Sequence, residues 1–172
     1  MSTVNKTDHT AETAPIITII GVGDNYRQDD AVGLAVAQEL GEYALHSVRA
    51  VECNWESLSL IDAWEGADVA IVVDAVCSGT EPGTVHRFEA QDEPLPSQLF
   101  RCATHDFSLA DAVERARALG KLPPRLIVYG IEGSAFGHGM GLSEKVAVAA
   151  HDVIHDLFGC VRSCLEEGAS RK

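Results

Sequence analysis

Apolar runs broken by glycine-bearing loops set the layout of this chain. Ile16-Ile17-Thr18-Ile19-Ile20 is a continuous β-branched run closed by Gly21, the pattern of a strand buried on both faces. After the loop Gly23 to Gln28, the acids Asp29 and Asp30 precede Ala31 to Leu40, a helix-length segment that starts on capping residues and stops at Gly41. Strand, loop and helix in that order open a βαβ unit. A second strand is predicted over Ser47 to Glu52, a helix over Leu58 to Trp64, and a third, wholly apolar strand over Ala67 to Val73. This alternation predicts an α/β fold with a parallel sheet.

Later segments continue the pattern with one exception. Glu81-Pro82-Gly83 is a turn signal, and the alternation Thr84-Val85-His86-Arg87-Phe88 predicts a half-exposed edge strand that runs antiparallel to the others. Ser108 with Asp111 forms a capping-box start for a helix that ends at Gly120, ahead of Pro123-Pro124, and Leu126 to Ile131 is the last strand. Ser143 opens a long terminal helix whose apolar stripe is Val146, Ala150, Val153, Leu157, Val161 and Cys164, at three- and four-residue steps. The expected organisation is a loose tail over 1–15, a single α/β domain over 16–167 and a flexible C-terminus over 168–172.

Composition narrows the partners. A chain of 172 residues with 46% apolar and 23% charged residues suits one domain, large enough to bury roughly 70% of its unfolded surface. No apolar run reaches the ~18 residues that mark a membrane span, and the polar start, with Asp8 and Glu12, does not read as a secretory signal. The expectation is therefore a cytoplasmic protein without a membrane partner. Net charge is −13, from 26 acidic and 13 basic side chains; such a field repels phosphate backbones and attracts cations, which disfavours nucleic acid. The five cysteines are odd in number and form no CxxC pair, so reduced, mostly buried thiols are expected.

Gly21-Val22-Gly23-Asp24-Asn25-Tyr26 starts like a dinucleotide fingerprint, but Tyr26 stands where the third glycine belongs. Asp24, Asp29 and Asp30 would each also repel a pyrophosphate. Asp29 already supplies a cap for the helix, so Asp30 is surplus to capping and placed to face the crevice above the sheet. Asp74 ends the third strand, and a carboxylate there needs water, a donor or a cation, because burying it unpaired costs several kcal/mol. Parallel first and third strands bring Asp30 and Asp74 to one carboxyl edge. His105, in Thr104-His105-Asp106-Phe107-Ser108, precedes a helix and completes an O, O, N donor set suited to a divalent transition metal with open positions. That set does not choose among nickel, zinc and manganese.

His151-Asp152-Val153-Ile154-His155 imitates the spacing of helical zinc proteases. At ~100° per residue, however, both histidines fall on the face opposite the apolar stripe. No GxSxG elbow occurs, and no cysteine has an adjacent histidine.

The assembled segments resemble the hydrogenase maturation endopeptidases, which trim the C-terminal tail from the large subunit of nickel-containing hydrogenases. The likeness runs from about Ile16 to Leu157. Its carriers are Gly21 to Gly33, Val73-Asp74-Ala75, Thr104 to Leu109, Tyr129-Gly130-Ile131-Glu132 and Gly141-Leu142-Ser143. The resemblance implies a three-layer fold with a twisted, mostly parallel five-stranded sheet flanked by helices. It also implies metal contacts at Asp30, Asp74 and His105, and a partner that is a hydrogenase large-subunit precursor bringing its own nickel, with another divalent metal as the alternative. Asp24 stands where the family usually has asparagine, and Glu52-Cys53-Asn54-Trp55-Glu56 where it commonly has an Asp-Gly-Gly-Thr-like turn. Two other function classes are weighed beside the peptidase: a non-enzymatic nickel-sensing maturation chaperone, and a nucleotide-binding α/β domain.

Overall fold

A computed structural model describes residues 14–54, 59–91, 93–100 and 108–170. The β-branched run forms β1 (Ile17–Val22), buried along its whole length. Parallel strands β2 (Val48–Cys53) and β3 (Val69–Val76) flank it. The edge strand β4 (Val85–Glu89) runs antiparallel to β5 (Arg125–Glu132), which is itself parallel to β3. The sheet order is β2-β1-β3-β5-β4. The mostly parallel five-stranded sheet, with an antiparallel edge, is therefore the architecture expected.

Helices cover both faces. On one face, α1 (Val32–Glu42) and α4 (Glu144–Ser170) pack on Ile17, Ile19, Ile71, Val73, Ile127, Tyr129 and Ile131. The predicted stripe of α4, from Val146 to Cys164, is buried there. On the other face, the short α2 (Leu60–Ala63) and α3 (Leu109–Ala118) pack on Ile20, Val22, Ala70, Val72, Leu126 and Val128. Alternate residues of β1, β3 and β5 thus serve opposite cores, which is why those strands read as nearly unbroken apolar runs. Among the described residues no helix is long and apolar enough to cross a membrane.

The glycines of the first motif serve packing. A Cβ on Gly33 would lie 2.2 Å from the Val73 carbonyl oxygen and 2.3 Å from that of Val22. The start of α1 therefore sits directly on β1 and β3, a distance only glycine permits. Gly23, at φ 150°, would bring a Cβ within 1.9 Å of the Asp30 carbonyl oxygen. That approach folds the loop after β1 back onto the turn that carries Asp30.

Several boundaries differ from expectation. Asp29 and Asp30 do not cap α1: they lie in a 3-10 turn, Gln28–Ala31, and the N-cap residue Ala31 receives no side-chain cap bond. The reason is that Asp29 is bound elsewhere, as described below. Strand β3 runs on to Val76, because Ala75 and Val76 still pair with Ile131 and Glu132, so Asp74 lies inside the strand, opposite Gly130. The helix expected from Leu58 appears from Leu60, capped by Ser59, whose oxygen accepts from Asp62 N–H; Trp55, Glu56 and Leu58 lie outside the described residues. The capping box of α3 forms as read, with the side chains of Ser108 and Asp111 each bonding the other's backbone.

Candidate functional site

The chain leaves β1 toward β2 on one side, while β3 lies on the other, so the sheet order reverses between β1 and β3. Open α/β sheets bind ligands in the crevice at such a switch point, beyond the carboxyl ends of the strands. Asp30 comes from the turn after β1 and Asp74 from the carboxyl half of β3. Both are buried, at 6% and 8% exposure. They interact: burial first, and the charge of Asp30 second, push the Asp74 carboxyl well above the usual carboxylate range, against one opposing bond from Ala75 N–H. Two acids held this way gain from a cation between them. Cys53, the buried reduced thiol ending β2, feels the same field and is raised to about 11 by burial and by Asp74.

Asp29, fully buried, points away from that pair into the loop after β5. Its carboxylate accepts five hydrogen bonds, from the N–H and hydroxyl of Ser134, the N–H of Ala135, and the N–H and hydroxyl of Ser143. Burial alone would raise its pKa, but the bonds from Ser143, Ser134 and Ala135 outweigh burial and hold it below the ordinary value. Its own N–H donates to the Ala135 carbonyl at 2.9 Å. Further strapping joins the same two loops. Gln28 N–H donates to Gly139, Gly139 N–H donates to Tyr26, and the Arg27 guanidinium donates to the Phe136 carbonyl. Residues 133–143 and the turn carrying Asp30 thus form one double-layered wall.

A second buried acid organises the other side. Glu132, at the end of β5 and 1% exposed, accepts from the N–H and hydroxyl of Ser78 and from Gly79 N–H. Burial opposes ionisation, yet these donors hold its pKa below the ordinary value. Glu132 thereby fixes the loop that follows β3. Cys77 in that loop is disulfide-bonded, against the expectation of reduced thiols; an odd cysteine count without a CxxC pair cannot reveal which distant thiols a fold brings together. Asp24 accepts from Tyr26 N–H at 2.8 Å. Asparagine offers the same side-chain oxygen, so this departure from the family pattern leaves the turn intact.

Of the three expected metal contacts, Asp30 and Asp74 come together, and His105 lies outside the described residues. Among those residues no group of three His, Cys, Asp or Glu side chains converges to hold a metal. The donor set nevertheless suits a hard or borderline cation: two carboxylates supply oxygen, one of them strained toward protonation when alone. His151 and His155 are exposed on α4, opposite its apolar stripe as their spacing predicts. A cleft of about 300 Å³ lined by Ile61, Trp64, Lys121 and Pro123 belongs to the opposite, amino edge of the sheet and holds none of this chemistry. The roles of Asp29 and Glu132 escaped the sequence reading. For Glu132 the signal was present, since it too closes a buried apolar strand.

Fold and site together define an open α/β protein with paired acids at its switch point. The chain belongs to the hydrogenase maturation protease family, whose model matches residues 34–159. Over 161 residues it is 25% identical to the hydrogenase 2 maturation protease of Escherichia coli strain K12, covering 91% of this chain and 96% of that protein. Over 120 residues it is 27% identical to the hydrogenase expression/formation protein HupD of Thiocapsa roseopersicina, covering 69% of this chain and 54% of the relative. The chain thus spans about half the length of HupD. Among solved structures, the hydrogenase maturating endopeptidase HybD from E. coli superposes with a TM-score of 0.70 at 21% identity, over 86% of this chain and 92% of that one. The [NiFe] hydrogenase maturation protease HybD from Thermococcus kodakarensis gives 0.65 at 18%, over 84% and 97%. These two likenesses establish the fold.

Proposed function

We propose that this chain is an endopeptidase that removes the C-terminal extension of a nickel-containing hydrogenase large-subunit precursor, after nickel has been inserted. In this reading Asp30, Asp74 and His105 contact the metal, and the nickel arrives as part of the substrate. The observation that carries it is the buried pair Asp30 and Asp74 at the switch point, where burial first and the charge of Asp30 second raise the Asp74 carboxyl. A cation brought into that crevice relieves the repulsion, so the pair favours a metal-loaded partner over an empty one. A divalent metal there can polarise the scissile carbonyl or activate water. The residues' own part is to orient: Asp29 and Glu132 hold the loops on either side, and Asp30 and Asp74 present oxygens to the metal. The setting we assign is the cytoplasm. Cys53, Cys160 and Cys164 are reduced thiols, which suits that compartment, although the disulfide at Cys77 runs against its usual thiol state.

The test is mass spectrometry of the nickel-loaded precursor before and after incubation with the protein. The wild type is expected to shorten it by a fixed C-terminal mass, and Asp74→Asn and His105→Ala to leave it whole while folding normally. Undiminished shortening by either variant overturns the site. An intact precursor bound stably by the wild type would instead favour the non-enzymatic nickel-sensing chaperone.

A further inference from the structure

The wall beside Asp30 carries two large apolar side chains that the fold does not use. Tyr26 is 69% exposed and Met140 77%. Isolated exposed apolar residues are ordinary on any surface. These two differ in how they are held. Gly139, the neighbour of Met140, donates its N–H to the Tyr26 carbonyl at 2.9 Å and accepts from Gln28 N–H at 3.1 Å. Arg27 and Gly139 also form a parallel bridge. The two backbones are therefore fastened side by side, and the buried carboxylate of Asp29 locks the layer below them through Ser134, Ala135 and Ser143. Gln28 accepts a left-handed backbone, φ 51°, within this strapping. The strapping that seats Phe136 and Leu142 against the core thus also holds two solvent-facing apolar groups side by side next to the Asp30 turn.

We infer that Tyr26 and Met140 are specificity-determining residues, a preformed apolar edge that takes an apolar side chain of the precursor peptide as it enters the crevice. The inference rests on the peptidase reading above and deepens it. A backbone fixed in advance loses little entropy on binding, Tyr is enriched at recognition surfaces, and Met is favoured there for its adaptability. The surrounding charge adds to the argument. On a chain of net charge −13, this edge gives a neutral or apolar segment a landing place that the carboxylates do not.

The experiment is steady-state processing of the nickel-loaded precursor by the full chain and by the double variant Tyr26→Ser, Met140→Ser. KM is expected to rise about tenfold or more with kcat within about twofold of wild type, the range that loss of apolar contacts produces. The double variant should melt with the wild type, because both side chains are exposed. Leu119→Ser with Val148→Ser, exposed apolar residues elsewhere on the fold, should change neither constant. An unchanged KM overturns the inference, and so does a loss confined to kcat. Failure of the wild type itself to shorten the precursor overturns the peptidase reading instead, so the two ideas fail separately.

Discussion

Replacing Asp29 by alanine should cost more stability than any surface change, although Asp29 points away from the Asp30 and Asp74 pair and is shut off from solvent. The substitution removes five hydrogen bonds and strands three backbone N–H groups, of Ser134, Ala135 and Ser143, in partly buried surroundings. Bonds to a charged acceptor are worth about 1.5–3 kcal/mol each in isolation, but they are not additive. Removing the carboxylate also removes its own burial cost, and the loosened loop can reach water. A net loss of about 2–4 kcal/mol follows. For a chain of this size each kcal/mol moves Tm by about 2–4 °C, so a drop on the order of 10 °C is expected. Asp29→Asn keeps the shape but offers one acceptor oxygen and turns an NH2 toward donors, so it should lose nearly as much. Urea denaturation gives the free energy, and amide exchange at Ser134, Ala135 and Ser143 locates it: those three amides should lose protection before β1 or β3 does. Retention of wild-type stability to within about 0.5 kcal/mol by Asp29→Asn would show that the five-bond arrangement contributes nothing.

Two further outcomes follow from the other buried acids. Asp74 has a raised folded-state pKa, so its contribution is fully present below the unfolded value of about 3.8 and is lost as pH rises through the higher folded value. In the metal-free protein Asp74→Asn should therefore be more stable than wild type at neutral pH, by about 0.5–2 kcal/mol, with the gap closing toward acid; urea midpoints across pH measure it, and a less stable variant at pH 7 refutes it. Glu132 is the opposite case: its folded pKa is depressed, so its stabilisation is present above about 4.5 and disappears as pH falls through the folded value. Glu132→Gln should lose about 1–3 kcal/mol at pH 7 and show a shallower acid decline than wild type, and equal slopes below pH 4.5 would contradict this.

How far the sequence carried depends on the range of the forces involved. Strands β1, β3 and β5 were legible because each is buried on both faces and so reads as a continuous apolar run. The face of α4 was legible from its period, since Val146 through Cys164 lie on one stripe. Helix caps made by neighbours in sequence, as at Ser108 with Asp111, were equally plain. What could not be read was where an acid's partners come from when they lie more than a hundred residues away. The local rule offers Asp29 the role of a helix cap, but its donors are Ser134, Ala135 and Ser143. The strand end at Asp74 differs from the sequence expectation for a related reason: a charged residue looks like a stop, yet β3 continues because Ala75 and Val76 pair with β5.

The contrast among the buried acids also bears on which of them works chemically. Asp29 and Glu132 are surrounded by backbone and hydroxyl donors, and their carboxyls are held below the ordinary range. An acid satisfied in that way has no capacity left for a ligand, and its role is to hold loops. Asp74 is as deeply placed, but the bond it accepts from Ala75 does not offset burial and the nearby charge of Asp30. Folding has left that carboxylate at a disadvantage which only a proton or a cation removes. Adjacent residues in one turn thus divide the labour: Asp29 fixes the wall, and the charge of Asp30 acts on Asp74. Among the described residues the donor to the Asp74 carboxylate is Ala75 N–H, a scarcity that supports the metal-bearing substrate proposed above.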